Sequence, residues 1–380
     1  MCIRDRFSNA TAFDASIGAW DTSKVTVMYR TFYDAAAFNA DIGGWDVSRV
    51  TSMLSAFSGA ATFDQDVGAW DTSKVTDLTL AFNATSHFDQ PIGAWDTSSV
   101  TTMYHAFNRA AAFDANISPW DVSKVTTLQG TFYGASTFNA PIGGWDVSKV
   151  TDMDRTFYNA QAFNASIGAW DVSQVTDMQR AFGFAVTFNA DIGGWDVSKV
   201  TDMNNAFSGA AAFDADIGDW DVSKVENMRQ TFDGASTFDA PIGGWDVSTV
   251  TDLRGFLANA ESFNQDISGW DASKVTDLSA TFGLARAFDA DLRAWDTSKV
   301  TDMEGTFLSA WAFDQDIGGW DVSKVVNMNV AFQDARAFNA NLEAWDVSQV
   351  ANFDLMFDGA IALETCPSWA PVDASCVGPS

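Results

Sequence analysis

Tryptophan recurs every 25 residues, at positions 20, 45, 70, 95, 120, 145, 170, 195, 220, 245, 270, 295, 320 and 345, with no insertion or deletion between copies. With each of these tryptophans taken as slot 0, slot 1 is always Asp, slot 3 always Ser and slot 5 always Val. Slot 8 is Met or Leu until Phe353, slot 12 is Phe apart from Leu257, and slot 18 is Phe until Leu363. Slot 19 is Asn or Asp through Asn339, and slot 22 is Ile, Val or Leu through Leu342. A unit this short cannot bury its own large side chains, so successive units must stack on one another. The chain therefore reads as one solenoid over residues 7–360, with residues 361–380 leaving the repeat as a cap in which Trp369 folds over the last unit.

Two spacings coexist within a unit. Slots 5, 8, 12 and 15 (Val50, Met53, Phe57 and Ala60 in the second copy) fall three, four and three apart, which predicts one face of a short helix capped by Ser or Thr. Slots 22, 0 and 2 (Ile42, Trp45, Val47) fall three and two apart, which predicts a short strand over slots 0–3 with Trp inward and slots 1 and 3 outward. Pro91, Pro141 and Pro241 stand at slot 21, just before that strand, where a missing N–H is tolerable. Glycines near slots 23 and 24 read as a tight approach into it. The expected fold is thus α/β, a leucine-rich-repeat-like solenoid of fourteen 25-residue repeats, each a short parallel strand plus a short helix. The tryptophans, at an inward slot, read as core rather than as a sugar-stacking ladder.

The repeat resembles that of the BspA-like leucine-rich-repeat surface proteins, and segments such as Phe188 to Met203 (FNADIGGWDVSKVTDM) carry the motif almost intact. The resemblance covers residues 7 to about 360. It implies a secreted or surface-anchored protein engaged in adhesion or partner binding, and it supplies no catalytic residues.

Charge narrows the choice of partner. Fifty acidic residues against 21 basic ones give a net charge of −29, which disfavours nucleic acid because phosphate binding rests on Lys and Arg. No stretch approaches the roughly 18 apolar residues of a membrane helix, so membrane insertion is not expected. Protein or glycan partners remain, of unspecified identity. Met1 to Arg6 (MCIRDR) reads as a non-native segment preceding a solenoid that starts in mid-repeat, which points to end-to-end self-association. Cys366 and Cys376, ten apart, read equally as a disulfide or as two thiols, the former implying an oxidising, extracellular compartment.

Catalytic chemistry finds little footing. Only His87 and His105 offer a base for a nucleophile, both in variable slots. The slot-1 aspartates form the candidate binding-face ladder: Asp21, Asp46, Asp71, Asp96, Asp121, Asp146, Asp171, Asp196, Asp221, Asp246, Asp271, Asp296, Asp321 and Asp346. Unpaired, such a ladder would repel itself and raise its own pKa values. Every lysine stands at slot 4, with Arg49 among them, so the favoured account is structural: neutralisation by these cations, or capping of backbone N–H groups. Paired aspartates at slots 19 and 21 (Asp64 with Asp66, Asp214 with Asp216, Asp289 with Asp291, Asp314 with Asp316) are the candidate ligands for Ca²⁺ and would make the chain a calcium-stabilised spacer. Slot 19 by itself reads as an Asx ladder bonding backbone, and Thr in eleven of fourteen slot-6 positions as a regular surface row. Slots 9–11, 13, 14, 16 and 17 vary (Tyr33, Arg109, Arg155, Phe184, Trp311), as expected where recognition resides.

Overall fold

A computed structural model describes residues 5–371 and 374–376, leaving Met1 to Arg4, Cys2 among them, outside the described residues. The chain divides into two compact units, Met1–Asp191 and Ile192–Ser380. Each is built from the same 25-residue coil, and the coil is made of turns. Among the described residues no α-helix forms, and the expected strand over slots 0–3 is likewise absent. Isolated parallel bridges join slot 7 of neighbouring coils instead, as in Val27 to Ser52 to Asp77 of the first unit and Asn227 to Asp252 to Asp277 of the second.

The coil containing Trp45 shows the path. Trp45 N donates to Ile42 O (3.0 Å) and Val50 N to Val47 O (2.8 Å), two three-residue closures either side of the slot-1 aspartate. Past the bridge, closures follow in a chain: Ala56 N to Met53 O (2.9 Å), Ser58 N to Ser55 O (3.3 Å), Ala60 N to Phe57 O (2.9 Å) and Phe63 N to Ala60 O (3.0 Å). Met228 to Phe238 in the second unit repeats this chain bond for bond.

The reason no helix forms lies in where the intervening N–H groups go. Met53, Ser55, Phe57 and Gly59 donate to the carbonyls of Asp77, Thr79, Ala81 and Asn83 in the next coil, at 2.7–2.9 Å. The N–H groups alternating with them, of Ala56, Ser58 and Ala60, close turns within the coil, so the stretch is neither a regular strand nor a helix. Slots 10 and 14 have positive φ in every coil, from Arg30 (51°) and Asp34 (54°) to Leu355 (54°) and Gly359 (75°). A left-handed residue every fourth position is incompatible with an α-helix of L-residues. The apolar spacing was read with the correct inward face but the wrong backbone. Three- and four-residue steps arise from consecutive turns as readily as from helical ones.

The inward face is sound in both units. Val, Met or Leu, Phe, Ala, Phe and Ile at slots 5, 8, 12, 15, 18 and 22 are buried in nearly every coil, and Trp45 through Trp345 are 3–4% exposed. Phenylalanines stack along the coil axis, Phe57 on Phe82 at 5.4 Å and Phe63 on Phe88 at 5.8 Å, while Phe57 also stacks on Phe63 at 4.3 Å. Trp70 and Trp95 lie 6.2 Å apart and 8° from parallel. Each indole also discharges its one polar group: Trp70 Nε1 donates to Ile42 O (3.2 Å) and Trp245 Nε1 to Ile217 O (3.1 Å).

Phe256 and Leu257 show how tightly this core is specified. Where slot 12 loses its ring to Leu257, Phe256 at slot 11 supplies one, edge-on to Phe232 (80°) and to Trp270 (64°), and both residues are fully buried. In the tail, Trp369 stacks on Trp345 at 6.3 Å and donates to Leu342 O at 2.9 Å, although it stands 24 residues on rather than 25. Cys366 and Cys376 are joined as a disulfide, and Ala374 O receives the N–H of Phe357 (2.9 Å), which has no following coil to bond.

Candidate functional site

The slot-1 aspartates are exposed and their geometry repeats. Oδ1 accepts the N–H of the Ser two residues on in every copy from Asp21 (3.1 Å to Ser23) to Asp346 (3.0 Å to Ser348) whose bond is resolved, with the Ser hydroxyl added at 2.6 Å on Asp21, Asp71 and Asp146. These bonds stabilise the carboxylate, so Asp46, Asp96, Asp146, Asp221 and Asp321 all titrate below the ordinary carboxylate value. The Ser contacts are the largest cause; slot-4 lysines contribute a smaller Coulombic pull, as Lys149 does on Asp146. Self-repulsion is present, since Asp71 and Asp121 both push Asp96 upward, but it loses to the hydrogen bonds. The ladder thus closes an Asx turn in each coil, the capping geometry that the sequence suggested.

The paired aspartates are separately employed. At slot 19, Asp64 Oδ1 accepts Asp89 N (3.1 Å), Asp214 accepts Asp239 N (2.8 Å), Asp289 accepts Asp314 N (2.9 Å) and Asp314 accepts Asn339 N (2.8 Å), an Asx ladder running from coil to coil. At slot 21, Asp66 and Asp216 accept the N–H of Gly68 and Gly218, as Asp316 does from Gly318. Asp291 is held by the Arg293 guanidinium at 2.7 Å, which lowers it to about 2. Among the described residues no three His, Cys, Asp or Glu side chains converge as a metal cluster.

The Ser86 hydroxyl lies 3.3 Å from Nδ1 of its neighbour His87 and donates to the Ala61 carbonyl at 3.2 Å. His87 Nδ1 bonds the Ala61 carbonyl at 2.8 Å. His105 is half-buried, its pKa lowered by that burial and then by Arg155, and its Nδ1 lies 3.0 Å from Asn108 Nδ2.

The turn ribbon over slots 9–16 carries side chains of a different kind. All five tyrosines stand there, at slots 9 and 13 (Tyr29, Tyr33, Tyr104, Tyr133, Tyr158), and no lysine does. Arginine takes the cationic positions instead: Arg30, Arg109, Arg155 and Arg180 at slots 10 and 14, Arg229 and Arg254 at slot 9. Guanidiniums lie over rings, Arg30 on Tyr33 at 3.9 Å and Arg109 on Tyr133 at 5.8 Å. In the second unit Trp311 is held between Arg286 (4.4 Å) and Arg336 (4.6 Å), with Arg286 also bound to Glu261 at 3.1 Å. Slot 11 does not belong to the outward set expected from its variation: it is fully buried in every coil, from Thr31 and Ala56 to Met356, because its side chain points into the core beside the slot-12 ring. The left-handed backbone shared by slots 10 and 14 was not anticipated either. Gly, Asn or Asp at slot 14 in Asp34, Gly59, Gly134, Asn159, Gly209, Gly234, Asn259, Asp334 and Gly359 was the available signal.

No curated protein matches the chain in sequence. Solved structures to which it is similar include a leucine-rich cell surface protein of Faecalibacterium prausnitzii, at 13% identity over 93% of this chain and 86% of that one with a TM-score of 0.42. Others are a leucine-rich repeat protein of Bacteroides ovatus (10%, 83% and 81%, TM-score 0.41) and one of Eubacterium ventriosum (13%, 92% and 84%, TM-score 0.37). One family model matches in tandem, over residues 2–92, 76–195, 176–291 and 256–369, in keeping with the BspA-like leucine-rich-repeat resemblance of the repeat itself. Those matches span nearly the whole sequence, and the chain belongs to that family, described as Mycoplasma protein of unknown function, DUF285.

Proposed function

We propose that this chain is a non-catalytic surface repeat protein, a scaffold that binds a protein or glycan partner through its turn ribbon. The observation that carries the reading is the segregation of side chains. The exposed slots 1 and 6 and the half-buried slot 3 are nearly uniform from coil to coil, whereas tyrosine, arginine and the non-repeat Trp311 gather on slots 9–16. Trp, Tyr and Arg are the residues in which binding energy concentrates at interfaces. An extracellular or cell-surface location is supported by the Cys366–Cys376 disulfide, which persists in oxidising compartments.

The test is direct binding of the purified chain to panels of extracellular glycoproteins and glycosaminoglycans. A companion variant carries Ser, Asn or Gly, the small residues of other coils, in place of the tyrosines and arginines of slots 9, 10, 13 and 14. Binding that the variant loses while keeping its melting temperature supports the reading; binding unchanged in the variant contradicts it.

A second reading, a calcium-stabilised spacer, draws on the mutual repulsion of neighbouring ladder carboxylates such as Asp71, Asp96 and Asp121, which a divalent cation would relieve. A thermal melt in EDTA and then in millimolar Ca²⁺ or Mg²⁺ separates the two. A large upward shift specific to Ca²⁺ favours the spacer.

A further inference from the structure

Within Met1–Asp191, one stretch of the turn ribbon concentrates aromatic and guanidinium groups more densely than its neighbours. Tyr133 and Tyr158, at slot 13 of adjacent coils, stack at 5.1 Å and 15°, and Phe184 meets Tyr158 edge-on at 5.4 Å and 69°. Arg109 covers the other side of Tyr133. Gly134 stands at the equivalent slot of the next coil, beneath the Arg109 side chain, where a Cβ would sit in ordinary contact 3.5 Å from Arg109 Cγ. Arg155 and Arg180 both act electrostatically on Tyr158, which places their positive charge beside the stack. Among the described residues Asp154, bound to Arg155, is the one carboxylate ion-paired within the group, and no ion pair joins Arg109 or Arg180 to a carboxylate. Tyr104, Phe184 and Val186 are exposed beside them, at 36%, 44% and 40%.

Backbone conformation adds weight. Arg109, Arg155, Arg180 and Phe184 all occupy left-handed positions, with φ from 53° to 58°. Gly130 and Gly134 hold the same two slots in the coil between Arg109 and Arg155. Large side chains are thus kept where glycine fits more cheaply, at roughly 1–2 kcal/mol each.

We propose that Arg109, Arg155 and Arg180, set around the Tyr133–Tyr158–Phe184 stack, form a docking site for an acidic segment of a protein partner. This rests on the scaffold reading above and narrows it. Ring faces are the means by which a neutral sugar is gripped, and the two tyrosine rings are already engaged, Tyr133 by Tyr158 and the Arg109 guanidinium, Tyr158 by Tyr133 and Phe184. What the site offers is guanidinium N–H groups, phenol hydroxyls and the exposed apolar surface of Phe184 and Val186. That combination fits carboxylates on a chain interspersed with apolar side chains, because the guanidinium fork matches the two oxygens of a carboxylate. On a chain of net charge −29 the guanidiniums of Arg109 and Arg180 are cationic groups that an acidic segment can meet.

The experiment is fluorescence anisotropy of the full chain with a labelled peptide of alternating Glu and Leu, against the same peptide with Gln or Lys in place of Glu. The Glu peptide alone should bind, and added salt should weaken it. The double variant Arg109→Gly, Arg180→Gly should bind at least about tenfold more weakly, the equivalent of one or two charge-assisted hydrogen bonds. Because glycine is native to these slots, that variant should fold with an undiminished melting temperature. Arg109→Lys should recover only part of the loss, and Arg49→Gln, at slot 4 outside the turn ribbon, where Gln174 and Gln349 already stand, should change nothing.

Failure of the Glu peptide to bind, or equal binding by the double variant, overturns the proposal. So does binding of a heparin oligosaccharide through these arginines without binding of the peptide. If the chain then still binds a panel member through other slots, the scaffold reading stands and only this assignment falls.

Discussion

Replacing a single alanine by glycine separates a coil of turns from the helix that the apolar spacing suggested. Ala280 is at slot 10 of its coil with φ of 52°, half-buried. An L-residue in the left-handed region costs about 1–2 kcal/mol. Glycine escapes that cost but loses about 0.5–1 kcal/mol more conformational entropy than alanine on folding. Ala280→Gly should therefore stabilise the protein by about 0.5–1 kcal/mol. Were slots 5–15 helical, the same change would destabilise by about 1 kcal/mol. Opposite signs make the experiment decisive even at modest precision. Ala84, with φ of 56° in the other unit, provides an independent copy of the test. Ala285, at slot 15 and fully buried, provides the control; Ala285→Gly should destabilise by at least about 1 kcal/mol through the lost methyl and the added entropy. Urea unfolding followed by tryptophan fluorescence reads all three as shifts in midpoint at constant slope. A loss of about 1 kcal/mol at Ala280 and Ala84 would refute the left-handed assignment.

Three further outcomes follow from the same geometry. A Cβ on Gly143 would collide with the Ser166 carbonyl oxygen, whereas one on Gly144 would meet nothing within 4 Å; Gly143→Ala should cost about 1–3 kcal/mol and Gly144→Ala should be neutral or stabilising by about 0.4–1 kcal/mol, both read by urea midpoint. Trp145→Phe removes the indole that donates to Ile117 O at 3.2 Å and leaves a void, a loss of about 2–4 kcal/mol, while Trp311→Phe at the exposed arginine sandwich should cost under about 1 kcal/mol. Ser148→Ala removes the main hydrogen bond holding Asp146 down, so its titration, followed by carboxyl carbon NMR, should move up toward the ordinary value. The sign for stability follows from the depressed folded pKa: the ladder supports folding above the unfolded carboxylate pKa of about 3.9, and that support is lost as pH falls through the lower folded value. Acid unfolding should accordingly begin at higher pH in Ser-to-Ala ladder variants; an unchanged acid midpoint would count against it.

How much of this was written in the sequence divides along physical lines. Burial was legible: every slot read as inward is inward, because the 25-residue period forces equivalent residues onto equivalent sides of a stack, whatever the backbone between them. Backbone conformation was not. Slots 5, 8, 12 and 15 match a helical stripe, and the residues at slot 14, nine of them Gly, Asn or Asp, spoke most clearly for a left-handed position; slot 10, where Gly130, Asn205, Gly255 and Gly305 alternate with Arg30, Leu80 and Val330, gave a weaker sign. Those residues are held left-handed by bonds to the next coil, a tertiary cause that local propensity cannot report. The roles of Ser at slot 3 and of the slot-19 Asx residues were half visible as caps. Their partners, one within the coil and the other a whole coil away, are fixed only when the coils stack. The grouping of Tyr133, Tyr158 and Phe184 is of the same kind: 25 and 26 residues separate them in sequence, and stacking alone makes them one surface.

The central claim is a division of labour, with the aspartate ladder building the coil and the turn ribbon meeting the partner. One paired comparison tests it most directly: surface plasmon resonance of a bound partner against two variants of the Met1–Asp191 stretch within the full chain. One carries Tyr133→Ser, Tyr158→Ser and Phe184→Asn; the other carries Asp121→Asn, Asp146→Asn and Asp171→Asn, which keep an Oδ1 acceptor for the Ser N–H. Binding should fall sharply in the first and persist in the second. Binding that survives loss of the aromatic stack but disappears with the aspartates would place recognition on the ladder and contradict the account.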